Sequence, residues 1–244
     1  MSFSQDEVER YARHLVLAEI GGPGQQRLKA ATVVIVGAGG VGSPAALYLA
    51  AAGVGTLRII DGDVVSLSNL QRQILFDTAD IDRPKVEAAA GRLHAINPYV
   101  RVEALKQSLT AANAAEVIAG ADVVLDGTDD FGTRHVVNAA CVAAGVPLVS
   151  GALGRWTGQV GVFQVRPCYR CLVPQSPPDA ETCAGVGVVG ALAGVVGAMS
   201  ALEAIKLITG AGQPLTGRLM LYDGLAAANR VVTVTADPEC PVCG

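Results

Sequence analysis

This chain of 244 residues predicts an α/β fold: a mostly parallel sheet with helices on both faces, continuing into antiparallel strands and a structural zinc site. Three observations carry that expectation. From residue 32 to residue 151 short apolar runs alternate with helical patterns, and strands separated by helical crossovers assemble as a parallel sheet covered on both sides. After residue 154 the runs GQVGVFQV, GRLMLYDG and RVVTVTA take on period-two character around one long apolar helix, as antiparallel strands do. Two Cys-x-x-Cys pairs, separated by 68 residues, place four sulfurs at the spacing of a closed tetrahedral site.

In chain order, residues 4–20 read as an amphipathic helix ahead of the sheet, whose apolar side needs the domain or a partner to cover it. The strand TVVIVG follows, then a Gly/Ala-rich helix, the strand TLRIID, a helix near 84–95, the strand VRVEAL, a helix near 110–119, DVVLDG, a helix near 131–144, and PLVSG. Residues 184–202 run for 19 positions without a charge, with Gly190 and Gly194 in small-xxx-small spacing, a length that approaches a membrane span. Most of these residues are Gly and Ala, which gain little from lipid, and Glu203 and Lys206 follow on the same helical run. The segment therefore reads as a helix buried in a core or a subunit interface. A net charge of -4 removes the electrostatic ground for binding nucleic acid or an anionic membrane. The acidic start lacks the basic stretch and apolar run of a signal peptide, which predicts a cytoplasmic protein.

The first chemical motif is Gly37-Ala38-Gly39-Gly40-Val41-Gly42, between the strand TVVIV and a helix. Its glycines permit a tight turn and let backbone N–H groups approach phosphates, as in a Rossmann-like nucleotide site. Asp61 closes the next strand, 19 residues after Gly42, where a carboxylate takes ribose hydroxyls. Alone this says nucleotide, and dinucleotide first. The stretch leaving that strand argues otherwise, because it carries Asp63, Asn69, Arg72 and Gln73, and Lys85 follows Pro84 at the next helix start. Two cations beside a phosphate-cradling loop suit a triphosphate. Asp129 and Asp130, on the same sheet edge, complete a set able to place a magnesium ion among phosphates.

Cys168, Cys171, Cys240 and Cys243 make a four-sulfur site with no open position for water, which means structure rather than catalysis. A redox dithiol would want one pair opening a helix after a strand, whereas the second pair here lies between Pro238 and Gly244. Cys141 reads as a small buried hydrophobe, and His14, His94 and His135 as surface or packing residues.

Arg10-Tyr11-x-Arg13, the 37–42 loop, SLSNLQRQ at 66–73, Pro84-Lys85, Thr128-Asp129, the two cysteine pairs and the closing PxCPVCG resemble the MoeB/ThiF/HesA family, the bacterial relatives of ubiquitin-activating enzymes. The similarity runs over essentially the whole chain. It implies one adenylyltransferase domain over 1–244: an N-terminal arm at 4–20, a nucleotide-binding part at 30–150, and antiparallel strands, crossover loop and zinc-bound tail at 151–244. The implied activity is ATP-dependent adenylation of the C-terminal glycine of a small ubiquitin-like sulfur carrier ending in Gly-Gly. Molybdopterin synthesis is the first pathway implied and the thiazole of thiamine the second.

By the same resemblance Gly39 and its neighbours line the ATP site, Asp61 holds ribose, Asn69, Arg72 and Lys85 contact phosphates, and Asp129 binds Mg2+. Arg13 is the arginine that reaches into the partner's site across a homodimer, and the four cysteines hold Zn2+. No sulfurtransferase-like domain follows Gly244, so a separate protein is expected to donate sulfur. Cys183 stands where some relatives place a cysteine that bonds covalently to the carrier, although the Ala-Gly-Val-Gly after it departs from their pattern; a covalent role and an idle loop thiol both stay open. Asp130 replaces the family's usual Asn, and a carboxylate there needs a cation beside it or must point away. Two other classes remain: an NAD-dependent oxidoreductase, which has no use for Arg72, Lys85 or four thiolates, and a catalytically idle carrier-binding subunit, which would be expected to lack Arg72 or Asp129.

Overall fold

The computed structural model describes residues 3–176 and 187–244. Helix α1 (Gln5–Arg10) opens on a capping box, in which the Ser4 side chain accepts from the Glu7 amide and the Glu7 carboxylate accepts from the Ser4 amide. The expected single helix over 4–20 is broken: α2 (Ala12–Leu15) follows after Tyr11, and the chain then turns into α3 (Gly21–Ala30). Tyr11 causes the break. Its ring is buried against the left-handed Gly53, where a Cβ would sit 2.5 Å from it, and its hydroxyl accepts 2.9 Å from Asn97 Nδ2. Tyr11 thus docks the arm on its own chain, while Val8, Val16 and Leu17 stay exposed. Helix α3 was hidden in GGPG, which reads as a turn; Pro23 lies in its first turn, where the missing N–H is not needed.

One sheet of eight strands runs through the molecule in the order β3-β2-β1-β4-β5-β6-β7-β8. Strands β1 (Thr32–Val36), β2 (Thr56–Ile60), β3 (Arg101–Leu105), β4 (Val123–Asp126) and β5 (Leu148–Leu153) are mutually parallel. β6 (Thr157–Phe163), β7 (Arg218–Asp223) and β8 (Ala228–Thr233) add antiparallel from β5 outward. All eight overlap the runs singled out in the sequence, β5 running two residues past PLVSG and β8 beginning two residues before RVVTVTA and ending at Thr233. Alternation along β1 divides the core: Val33 and Ile35 join a cluster with Leu28 of α3 and with α4 (Gly42–Ala52), α5 (Lys85–Ile96) and α9 (Gly190–Thr209). Val34 and Val36 face α6 (Ala114–Ile118), α7 (Phe131–Ala144) and Tyr169 of α8 (Tyr169–Leu172). Helices therefore cover both faces, and both kinds of face are apolar because parallel strands are buried on two sides.

The long apolar helix begins later and ends later than the charge-free run, at Gly190 and Thr209. It is long and apolar enough to cross a bilayer, yet it lies in the cluster that covers β5 and β6. Its Glu203 is buried and accepts from Leu215 N (2.7 Å) and Lys206 Nζ (2.5 Å), so the acid is satisfied within the fold. The small residues permit close packing: a Cβ on Gly197 would lie 2.3 Å from Pro44 Cγ and 2.5 Å from Val41 O at the start of α4. Helix propensity alone favours Gly197→Ala by about 1 kcal/mol. The overlap reverses that sign, and we expect the variant to lose about 1–3 kcal/mol, read as a lower denaturant midpoint at unchanged m-value. A midpoint equal to or above wild type would show that α9 and α4 have room to separate.

Candidate nucleotide crevice and cysteine cluster

Strand order reverses between β1 and β4, and open α/β sheets bind ligands beyond the C-terminal strand ends at such a point. A cavity of about 800 Å3 opens there. The turn after β1 forms its floor. Gly37 takes φ +86° and donates to Ile60 O, and Gly42 opens α4, where a Cβ would lie 1.9 Å from Gly37 O. Gly42 thus lets the loop close, while Gly37, Gly39 and Gly40 line the cavity. Asp61 braces the same loop: its Oδ2 accepts from Ala38 N and its Oδ1 from Asp63 N, each at 2.8 Å.

Asp61, Asp63, Asn69, Arg72, Gln73, Lys85 and Asp129 all line this cavity. Lys85, the first residue of α5, is buried with Nζ 2.9 Å from Asp63 Oδ2 and 4.0 Å from Asp61 Oδ2. Arg72 follows the 3-10 turn Leu67–Asn69 and donates to Ser68 O at 3.0 Å. Gln73 is 4% exposed, and its Oε1 has no hydrogen-bond partner among the described residues. Asp129 is exposed on the loop after β4. Three carboxylates of this set against two cations leave room for a further cation beside a polyanion. Asp130 turns to α7, where its Oδ2 accepts from Thr133 N (2.6 Å) and Thr133 Oγ1 (2.8 Å). Those bonds hold its carboxyl below the ordinary carboxylate range, so the departure from Asn serves as a helix cap.

Arg13 is exposed and does not line the crevice of its own chain. Cys183 lies outside the described residues. Two residues went unnoticed in the sequence, Asp126 at the end of β4 and Arg134 in α7, both buried, with Arg134 Nη1 3.7 Å from Asp126 Oδ2. An acid closing an otherwise apolar buried strand was the available signal, since such a group needs a partner. Burial pushes the Cys141 thiol up, as befits a core residue. His14 bonds Gln25 and His135 packs on Tyr169.

The sulfurs of Cys168, Cys171, Cys240 and Cys243 lie within 4.8 Å of one another. Cys168 and Cys240 are 3.7 Å apart, and Cys171 and Cys243 are 3.4 Å apart. Sulfurs on a tetrahedron about 2.3 Å from an ion are separated by about 3.8 Å, so the donor set fits Zn2+. Amides support it: Asp237 N donates to Cys171 Sγ and Asn138 Nδ2 to Cys168 Sγ. Burial opposes ionisation of Cys168, Cys240 and Cys243 and keeps Cys168 and Cys243 raised, whereas at Cys240 the amides of Val242 and Cys243 together with the neighbouring sulfurs outweigh it and lower the thiol. The cluster joins Cys168 and Cys171, at either end of the turn that begins α8, to the C-terminal tail.

The ThiF family model matches residues 11–242. A sulfur carrier protein adenylyltransferase of Thermus thermophilus is 48% identical, covering 100% of this chain and 93% of the relative. The sulfur carrier protein ThiS adenylyltransferase of Escherichia coli is also 48% identical, covering 96% and 94%. A probable adenylyltransferase/sulfurtransferase, MoeZ of Mycobacterium tuberculosis, is 46% identical over 98% of this chain but only 63% of its own length. Among solved structures, E. coli MccB with AMPCPP and MccA superposes with a TM-score of 0.85 at 25% identity, over 96% of this chain and 74% of that one.

Proposed function

The chain belongs to the ThiF family, and from that premise we propose that it uses ATP to activate the C-terminal carboxylate of a small ubiquitin-like sulfur carrier as an acyl-adenylate, releasing pyrophosphate. The observation that carries the reading is the gathering of the glycine loop, Asp61, Asn69, Arg72, Lys85 and Asp129 around one crevice at the sheet's reversal point. The carrier carboxylate attacks the α-phosphorus, a bond forms from its oxygen to phosphorus, and the bond to the pyrophosphate oxygen breaks. That carboxylate is already ionised at neutral pH, so no base is required. Catalysis reduces to positioning and to offsetting charge on phosphate oxygens.

In this reading the amides of Gly39 and Gly40, which line the crevice, meet phosphates, and Asp61 takes ribose hydroxyls. Asn69 and Arg72 reach phosphate oxygens, and Lys85 exchanges Asp63 for a phosphate. Asp129 would hold Mg2+, which supplies positive charge among the phosphates. Arg13, free of its own crevice, serves the partner's crevice in a homodimer. The four cysteines hold Zn2+, which ties the tail to the body. Sulfur then comes from a separate donor, and the protein works in the cytoplasm. The molybdopterin carrier is the first choice, and the ThiS name of one relative favours the thiazole carrier as the second.

Labelled-ATP assays with each purified carrier test this. We expect pyrophosphate exchange that depends on one carrier and on its terminal Gly. Exchange with neither, together with a change in NADH, would favour an oxidoreductase; carrier binding without turnover would favour an idle subunit.

A further inference from the structure

Thr128 immediately precedes Asp129, and three of its polar atoms are held by two buried groups, Asp126 and Arg134, the second of which also lines the crevice. Its amide N (3.0 Å) and its Oγ1 (2.7 Å) donate to Asp126 Oδ1. Its carbonyl accepts from Arg134 Nη2. The same guanidinium donates to Gly151 O at 2.9 Å and, through Nη1, to Ser150 Oγ at 3.0 Å, both on β5. Arg134 therefore spans the β4–α7 loop and the end of β5, and the plane of the Thr128–Asp129 peptide follows from its position. Asp126 and Arg134 are both at least 95% buried, and apart from the charge of Arg134 near it, Asp126 Oδ2 has no hydrogen-bond partner among the described residues. Such a pair is expensive to bury, so it is weak as a source of stability and strong as a source of geometry.

We propose that Arg134, seated by Asp126, is a positioning residue that fixes the Thr128–Asp129 peptide and so sets where the Asp129 carboxylate meets the nucleotide-bound metal. A planar fork suits this task, because it binds two carbonyls and a hydroxyl in one fixed plane, which a lysine ammonium cannot reproduce. The inference rests on Asp129 holding Mg2+, and the test separates the two.

ATP binding is titrated calorimetrically with Mg2+ and, separately, with EDTA. The wild-type protein and the variants Arg134→Lys, Asp129→Ala, Arg134→Lys/Asp129→Ala and Thr128→Val are compared below their melting temperatures. Wild type gains affinity with Mg2+, and Asp129→Ala loses that gain; if it does not, the metal role of Asp129 fails. Arg134→Lys is expected to reduce the Mg2+-dependent gain by about 10–100-fold, the usual effect of a residue that orients a metal ligand, while binding in EDTA stays within about twofold. In the Asp129→Ala background Arg134→Lys should add nothing. Thr128→Val deletes only the hydroxyl that Asp126 accepts, keeps the ion pair, and should reduce the gain by about fivefold, the worth of one hydrogen bond; it stands in if Arg134→Lys does not fold. An undiminished Mg2+ gain in Arg134→Lys, or in Thr128→Val where that variant stands in, overturns the inference. So does a loss of EDTA binding that persists without Asp129, which would mean Arg134 touches the nucleotide itself.

Discussion

Asp129→Ala and Arg72→Ala are each expected to lower carrier-dependent ATP–pyrophosphate exchange by about two to four orders of magnitude while leaving the protein folded. The size follows from what the reaction needs. In the proposed reaction charge builds on phosphate oxygens as pyrophosphate leaves, and Arg72, Lys85 and a cation on Asp129 would meet it, all three residues lining the crevice. A group acting mainly in the transition state removes its whole contribution when deleted. The fold should survive because neither side chain belongs to the core. Asp129 is exposed on its loop, and Arg72 makes a partly exposed bond to Ser68 O. Substitutions at such places usually shift stability by no more than about 0.5 kcal/mol. Measured by exchange of labelled pyrophosphate, with circular dichroism as the control for folding, near-normal exchange in both variants would remove the site assignment.

Loss of the four-sulfur centre should produce the other large effect, this time on stability. One metal ion per chain is expected by elemental analysis, and Cys171→Ser combined with Cys243→Ser is expected to abolish it. An ion joining the two cysteine pairs closes a loop of about 70 residues, whose entropy corresponds to roughly 4 kcal/mol by the cross-link relation. For a chain of this size that amounts to a fall in Tm of about 8–16 °C. The effect need not stay local: Asn138 of α7 accepts from Tyr169 N at 2.7 Å and donates to Cys168 Sγ, one turn from Arg134. A metal-free double variant melting within about 2 °C of wild type would show that the tail is held by other contacts.

The alternation of strands and helices was legible because period-two and period-3.6 patterns are local, and every strand from β1 to β8 overlapped an apolar run. The crevice was legible for a related reason. The sheet's topology brings the ends of successive strands to one edge, so Gly37, Asp61 and Asp129 had only to follow their strands to meet, and Lys85 joins them from the start of α5. The arm was misread because no local pattern announces that Tyr11 docks on Gly53 and bonds Asn97, 86 residues away. Helix α3 was missed because GGPG is a turn by composition and a first helical turn only in context.

The layers of the fold, the family, the glycine loop, the side chains that line the crevice and the cysteine set were therefore legible from residue types and their spacing along the chain. What emerged only on folding is that Asp130, at the crevice edge, caps α7, that Gly42 closes the loop while its neighbours line the cavity, and that Arg134 and Asp126 hold the peptide before Asp129. Those outcomes depend on which polar group lies within about 3 Å of which other after the chain has folded. Hydrogen-bond partners are chosen by proximity in space, and distance along the chain carries little information about that.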